Sequence, residues 1–404
     1  MSLIKKAARY LHRYLGWASG LVVLIICATG AILLVQPEVE RALEPGKYTI
    51  PRHDGAPLDW DEFIARLEAS ESASFAEPTT VTVARIIQER GARRATYLLL
   101  NARDAHDSWT YQCYADPYVG EGVAYGASRA LEFFRTVRQL HTRLCLPAKI
   151  GRPITGYSCL VFMLVLLTGL IRWLPRRLNN KSLWRNALTL TLTKGGSRAL
   201  FDLHNVLGFY SALILLGLAF TGAWLGLGWF RDGFNRSIGL ETAPRPIRQF
   251  DCPAWQGEPA TLQAIMDAQA QQTPEACAYD IRFGKSAHAP LVITPRPGFA
   301  GFCYQTSYYW DRGNATLLGV DSYKALSGPY KVASIMLPFH KGQIFSDFSR
   351  YLFLLICLIA CMLAATGYWL SFNRWRRTEQ SAKATEGKPK SDKNNDVPTT
   401  DVNR

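Results

Sequence analysis

Four stretches of about 20 residues carry almost no charge: Leu15–Val35, Ile154–Ile171, Val206–Phe230 and Tyr351–Leu370. A helix rises about 1.5 Å per residue, so each can cross a hydrocarbon core of about 30 Å. This excludes a purely soluble protein, and collagen-like and wholly disordered chains with it. The 48% hydrophobic content does not decide the matter, because a soluble chain can match it. The clustering of those residues does.

The 404 residues carry a net charge of +14, which would suit nucleic acid, but its placement suits a membrane. Lys5, Lys6, Arg9 and Arg13 precede the first span. Arg172, Arg176, Arg177, Lys181, Arg185, Lys194 and Arg198 fill the loop after the second, against Asp202 alone. Arg374, Arg376 and Arg377 follow the fourth. If the spans alternate, all three clusters lie on one side, as the positive-inside rule requires. The expected partner is therefore a lipid bilayer, with no nucleic acid. Both termini are expected in the cytoplasm, with Gln36–Arg152 and Arg231–Arg350 outside. The first span reads as an uncleaved anchor, because its apolar run exceeds a signal-peptide core and Val35-Gln36-Pro37 is a poor cleavage site.

An internal repeat organises the chain. Leu11–Leu33 and Leu203–Leu225 agree at 11 of 23 positions, and in both a His precedes a Thr-Gly by 17 residues (His12 to Thr29, His204 to Thr221). Spans two and four align on Thr168-Gly169 and Thr366-Gly367, which matches Cys159 with Cys357 and Arg152 with Arg350. His141 and His340 lie 27 and 26 residues before those threonines. Each half reads as span, outer domain, span, in parallel orientation.

The outer domains share a grammar. Leu58–Ala69 and Thr261–Gln272 have helical apolar spacing. Strand-like runs follow at Val81–Ile87, Ala95–Leu100 and Trp109–Ala115, and again at Tyr279–Phe283, Ala289–Thr294 and Phe302–Trp310. Turn-rich pieces come next, at Asp116–Gly120 and Asp311–Asn314. The fold class is an integral membrane α-helical protein, a four-helix transmembrane bundle with two small α+β outer domains. Its expected division is an N-terminus and first span (1–36), outer domain one (37–130), a pre-helix with span two (131–177) and a basic loop (178–202). Span three (203–230), outer domain two (231–330), a pre-helix with span four (331–377) and a polar tail read as disordered (378–404) complete it. The loop around Leu183, Trp184, Leu188, Leu190 and Leu192 suits the membrane surface.

Cys27, Cys159, Cys357 and Cys361 lie in spans as packing residues, and an oxidising compartment permits one disulfide among Cys252, Cys277 and Cys303. Aromatic residues crowd the outer strands: Trp109, Tyr111, Tyr114, Tyr118 and Tyr125, then Phe299, Phe302, Tyr304, Tyr308, Tyr309 and Trp310. Alternating strand spacing reads first as sheet packing, with a ligand platform as the rival.

Four of the seven histidines sit one per span. His12 and His204 begin the outward spans, at the inner edge, while His141 and His340 precede the inward ones, at the outer edge. The other three, His53, His106 and His288, read as surface residues. Two-plus-two is the arrangement that two bis-histidine haems need, since haem iron takes an axial imidazole on each face and facing helices can supply one each. Interface histidines bonded to water or lipid are the bland alternative. Two imidazoles alone are too sparse a set for zinc or copper. Arg152 and Arg350 head the inward spans and suit haem propionates. The four Thr-Gly pairs suit close helix contact, with or without a cofactor beside them. Pro147 and Pro153 are expected to break the helix after His141.

The segments LHRYLGWASGLVVLIICATGAIL, FFRTVRQLHTRLCLPAKIGRPITGYSCLVFMLVLLTGLIRWLP, FDLHNVLGFYSALILLGLAFTG and IMLPFHKGQIF together resemble the PepSY-associated transmembrane proteins, over residues 1–377. The outer domains resemble PepSY modules. The family includes inner-membrane dihaem ferric-siderophore reductases of Gram-negative bacteria. The resemblance implies two haem b groups with His12, His204, His141 and His340 as axial ligands. It also implies a bacterial inner-membrane location with periplasmic outer domains, and a ferric siderophore as substrate. An unidentified cytoplasmic or membrane donor supplies the electrons. Two rivals stay open: a quinol-linked or other electron-transfer cytochrome, and a haem-free membrane sensor or regulator. No acid/base dyad, nucleophile triad or phosphate-binding loop supports a hydrolase or ATPase.

Overall fold

The structure, a computed structural model, describes residues 3–91, 93–126, 129–175, 181–190, 195–240, 252, 258–284, 286, 289–297, 306–344 and 347–386. Four helices are long and apolar enough to cross a membrane: α1 (Leu3–Leu34), α6 (Ala148–Trp173), α8 (Gly196–Gly226) and α12 (Asp347–Glu386). α1 packs on α6 and α12, and α8 packs on the same two, so α1 and α8 are diagonal across a four-helix ring. Leu166, Leu215, Ile356, Ala360 and Leu363 fill the middle of the bundle. Leu21, Leu164, Leu213 and Leu355 are exposed on its outside, where large apolar side chains suit lipid. α12 runs into the segment read as disordered. The added residues are mostly good helix formers, and extending a formed helix needs no new nucleus. Residues 387–404 lie outside the described residues.

Between spans one and two the chain makes α2 (Gln36–Leu43), α3 (Pro45–Tyr48), α4 (Trp60–Ala73), strands β1 (Thr80–Glu89), β2 (Thr96–Arg103), β3 (Ser108–Asp116) and β4 (Glu121–Tyr125), then α5 (Arg129–Arg143). α7 (Lys181–Leu188) precedes span three and α9 (Gly228–Ser237) follows it. Then come α10 (Leu262–Gln272), β5 (Ala276–Arg282), β6 (Leu291–Pro297), β7 (Ser307–Trp310), β8 (Leu317–Asp321) and α11 (Gly328–His340).

The strands form one antiparallel sheet in the order β4-β3-β2-β1-β5-β6-β7-β8. The two expected domains thus share a sheet, joined where β1 pairs with β5. α4 and α10 cover one face, and Phe63, Leu67, Ile265 and Met266 meet Val83, Ile86, Leu98, Leu100, Ile281 and Ile293 there. Strand alternation sends the intervening residues to the other face. A second weld joins the halves: the Asp61 carboxylate of α4 accepts from the backbone N–H groups of Leu262 and Gln263 (2.8 and 2.9 Å), capping α10.

Helix α5 ends not at a proline but at Leu144 and Cys145, whose φ angles of 53° and 57° turn the chain. Pro147 precedes the first residue of α6, and Pro153 sits inside that helix without ending it. Proline there forfeits one backbone hydrogen bond, which the rest of the helix tolerates. Gly151 lets α5 return onto α6, because a Cβ at that position would overlap the Arg143 carbonyl.

Candidate functional site: two histidine pairs

The diagonal placement of α1 and α8 brings His12 and His204 face to face, with ring centroids 6.3 Å apart and planes at 86°. At the sheet end, α5 packs on α1 and α11 on α8. This brings His141 and His340 together, with centroids 6.0 Å apart and planes at 53°. His141 rests beside Thr29, 17 residues along α1 from His12, which puts the pairs about 25 Å apart along the bundle.

All four imidazoles are seated alike. Nδ1 of His12 bonds the Val165 carbonyl at 2.9 Å and lies 3.5 Å from Thr168 Oγ1. Nδ1 of His141 bonds the Ile26 carbonyl at 2.9 Å and lies 3.2 Å from Thr29 Oγ1. For His204 the nearest partner is Thr366 Oγ1 at 2.8 Å, and for His340 it is Thr221 Oγ1 at 2.9 Å. Every threonine hydroxyl also bonds the carbonyl four residues earlier in its own helix. With its proton given there, the oxygen is left to accept.

Those partners fix the tautomer. A carbonyl oxygen only accepts, so Nδ1 carries the proton and Nε2 keeps its lone pair. Such an outer hydrogen bond orients an imidazole as a metal ligand and raises its basicity. The glycine after each threonine completes the seat. An ideal Cβ on Gly30 would lie 3.2 Å from His141 Cε1, and one on Gly169 3.1 Å from His12 Cε1. At Gly222 and Gly367 the distances to His340 and His204 are 3.5 and 3.6 Å. Each Thr-Gly pair is therefore a cradle for the histidine of a neighbouring helix. The recurrence was visible in the sequence; the pairing of each cradle with its ring was not.

Burial, then the neighbouring His141, hold His340 down to about 3, so its ring is neutral at ordinary pH. Burial lowers His141 as well. The cations acting on this pair are Arg138 and Lys341, and burial with Arg138 lowers Lys341 in turn. At the far end Arg172 acts on both His12 and His204, with Arg9 and Arg374 beside it. The sequence had singled out Arg152 and Arg350 instead. Arg350 pairs with the Glu38 carboxylate of α2, which also accepts from Tyr351 at 3.1 Å. Arg152 is exposed and makes no side-chain hydrogen bond or ion pair among the described residues. Cys159 and Cys357 line the sheet-side cradles next to Gly222 and Gly30.

Other sequence candidates fall elsewhere. His53 is no simple surface residue: it bonds the buried Asp116 at 2.7 Å and stacks on Tyr118. Trp109 and Tyr111 pack on the sheet core, as strand spacing implied, and Tyr111 and Tyr125 bond the buried Glu71 carboxylate. Trp184 packs on Trp173, which stacks on Phe209 at 3.7 Å. His288, Cys303, Phe299, Phe302, Tyr304, Arg176, Arg177, Leu192 and Lys194 lie outside the described residues.

Fold and site define a four-span helical membrane protein with an antiparallel sheet domain and two buried imidazole pairs. The family model for the PepSY-associated TM region matches residues 9–374, and the chain belongs to that family. No curated protein matches the sequence.

Proposed function

We propose that this protein is an inner-membrane dihaem b-type cytochrome. In this reading it passes electrons from an unidentified cytoplasmic or membrane donor to the periplasm, where a ferric siderophore is reduced and its iron released. The observation that carries the reading is the pair of imidazole pairs, each with Nδ1 engaged and Nε2 left for a metal.

The fit can be tested on the ring spacing. Metal–imidazole bonds of about 2.0–2.1 Å, with each ring centre about 1.1 Å behind its nitrogen, put bridged ring centres about 6.3 Å apart. The observed spacings are 6.3 and 6.0 Å. Among the described residues no group of three or more His, Cys, Asp or Glu is placed to hold a bare metal ion. Two imidazoles suit an iron whose other four ligands come from a porphyrin. His12 and His204 would hold one haem, and His141 and His340 the other. Haem b at both places supplies reversible one-electron chemistry near each face of the bilayer.

The chain's own residues then do four things. Two histidines to each haem would leave no open position for oxygen or substrate, which would favour electron transfer. The Thr-Gly cradles hold the rings against rotation. Arg172, Arg9 and Arg374 at one end, and Arg138 and Lys341 at the other, offer positive charge to propionates. The sheet, on the periplasmic side in this reading, offers the surface on which a chelate docks. The matched sheet halves and matched cradles support a parallel repeat. The substrate follows from the family resemblance. Siderophore oxygen ligands are hard and prefer Fe(III), so reduction weakens their hold.

The test is optical. Purified protein, reduced under anaerobic conditions, is mixed with a ferric siderophore or with a quinone analogue while the haem α band is followed. Prompt reoxidation by the siderophore is expected. Reoxidation by the quinone alone would move the protein to quinol-linked electron transfer.

A further inference from the structure

On the sheet face opposite α4 and α10, at the β1–β5 seam, Arg85 stands directly opposite Arg282. Like charges in that register destabilise a sheet unless an anion lies between them. Asp280 provides one. Arg85 donates to it through Nε and Nη2 (2.7 and 2.5 Å), Arg296 through Nη2 at 2.9 Å and Arg282 through Nη2 at 3.3 Å. The carboxylate side chain is 2% exposed, while Arg85, Arg296 and Arg282 are 32%, 30% and 51% exposed. Arg85 and Arg282 share this one carboxylate, which leaves an excess of positive charge at the seam. Three of the four donors crowd onto Oδ2, and Arg282, 51% exposed, spends a single N–H on it. No second carboxylate pairs with Arg85 or Arg282 among the described residues.

The same face leads toward the sheet-side histidines. Tyr97 meets Tyr114 (centroids 5.4 Å), and Tyr114 meets Tyr48 of α3 (5.6 Å). Lys47 lies over the Tyr114 ring, and α2, next along the chain, packs on α5, which carries His141. The face is thus connected, through Tyr97 and Tyr114, to the helices that adjoin α5.

We propose that the seam arginines form a docking site for a metal chelate of net negative charge, held through carboxylates. Guanidiniums match carboxylates in paired, two-bond geometry, and the excess charge selects anions over neutral or cationic chelates. That the chelate is the electron acceptor rests on the cytochrome reading above; the anion site does not.

Gallium(III) citrate is the probe. It mimics a ferric chelate and is redox-inert, so its binding to the full-length protein in detergent can be measured by calorimetry whatever the haem content. Saturable binding is expected, weakening as salt rises. A gallium trihydroxamate of positive charge should bind at least 10-fold more weakly. Arg282→Gln removes the most exposed guanidinium and its single long bond. It should weaken gallium citrate about 10-fold with an unchanged melting curve. Asp280→Asn leaves three arginines without their carboxylate and should tighten binding. If that variant unfolds, Arg282→Gln and the salt series decide. No saturable binding, equal affinity for the cationic chelate, or an unaltered affinity in Arg282→Gln would overturn the site. Haem present without gallium citrate binding would refute the dock and spare the cytochrome. Binding without haem would do the reverse.

Discussion

The two imidazole pairs are built from the same parts and set in different surroundings. In each pair one ring leans mainly on a backbone carbonyl and its partner lies closest to a threonine hydroxyl. His12 and His141 are of the first kind, His204 and His340 of the second. Beyond the seat the pairs diverge. The far-end rings are nearly perpendicular, at 86°, while those at the sheet end stand at 53°. Three arginines gather at the far end, against one arginine and one lysine at the other. Cys159 and Cys357 line the sheet-side cradles. The shared parts do what any bis-imidazole site needs, which is to fix ring, tautomer and approach. On the cytochrome reading proposed above, the divergent parts are those that would set the potential of each haem, through local charge and surroundings.

The largest expected effect breaks one pair and spares the other. Gly30→Val should drive side-chain atoms into the His141 ring and remove the sheet-side haem, while Gly169→Val should do the same to His12 at the far end. Haem per chain, measured as the pyridine haemochrome, should fall from two to one in each variant. A next step sharpens the contrast within a pair. Thr366→Val and Thr221→Val remove the nearest partner of His204 and His340, and should weaken haem retention by about 10–100-fold. Thr168→Val, whose hydroxyl is 3.5 Å from His12, should change it least, because the carbonyl remains.

A smaller effect concerns acid. Burial pushes the Asp280 carboxyl up, but Arg85 and Arg282 outweigh that and hold it down to about 2. A depressed folded value means stabilisation that is complete above the unfolded value near 3.9 and lost as pH falls toward 2. With solvent screening by its half-exposed partners, the loss is about 1–2 kcal/mol. Sheet melting followed by circular dichroism should fall over that window and flatten in Asp280→Asn. Since α5 and α11 leave the sheet directly, the sheet-side haem signal should shift with it and the far-end signal should not. The smallest effect is electrostatic. Arg138→Gln should lower the sheet-side potential and Arg172→Gln the far-end one, each by about 50 mV, in a redox titration that resolves the two.

Much of this arrangement was legible in the sequence, because its signals are local or periodic. Uncharged runs gave the spans, and a His and a Thr-Gly held 17 residues apart gave two matching helices. The helices expected at Leu58 and Thr261 start at Trp60 and Leu262, each behind a capping side chain. Contacts between distant segments were not legible. Nothing local to Arg85 or Asp280 announces that β1 and β5 pair across some 190 residues. The strands β4 and β8 escaped notice, being five residues each, with a glycine in both. Arg152 and Arg350 correspond by alignment, yet only Arg350 meets a carboxylate, because Glu38 of α2 reaches it from another part of the chain. The cradles stayed hidden for the same reason, since a threonine in one helix reads as packing until the neighbouring ring is in place.

Haem counting on histidine variants tests the central claim most directly. Full-length protein made with ample haem should carry two haems. His12→Ala and His204→Ala should each lose the same one, and His141→Ala and His340→Ala the other, told apart by electron paramagnetic resonance of the remaining low-spin iron. Absence of a Soret band in the unmodified protein, or losses that fail to sort into those two pairs, would contradict the account.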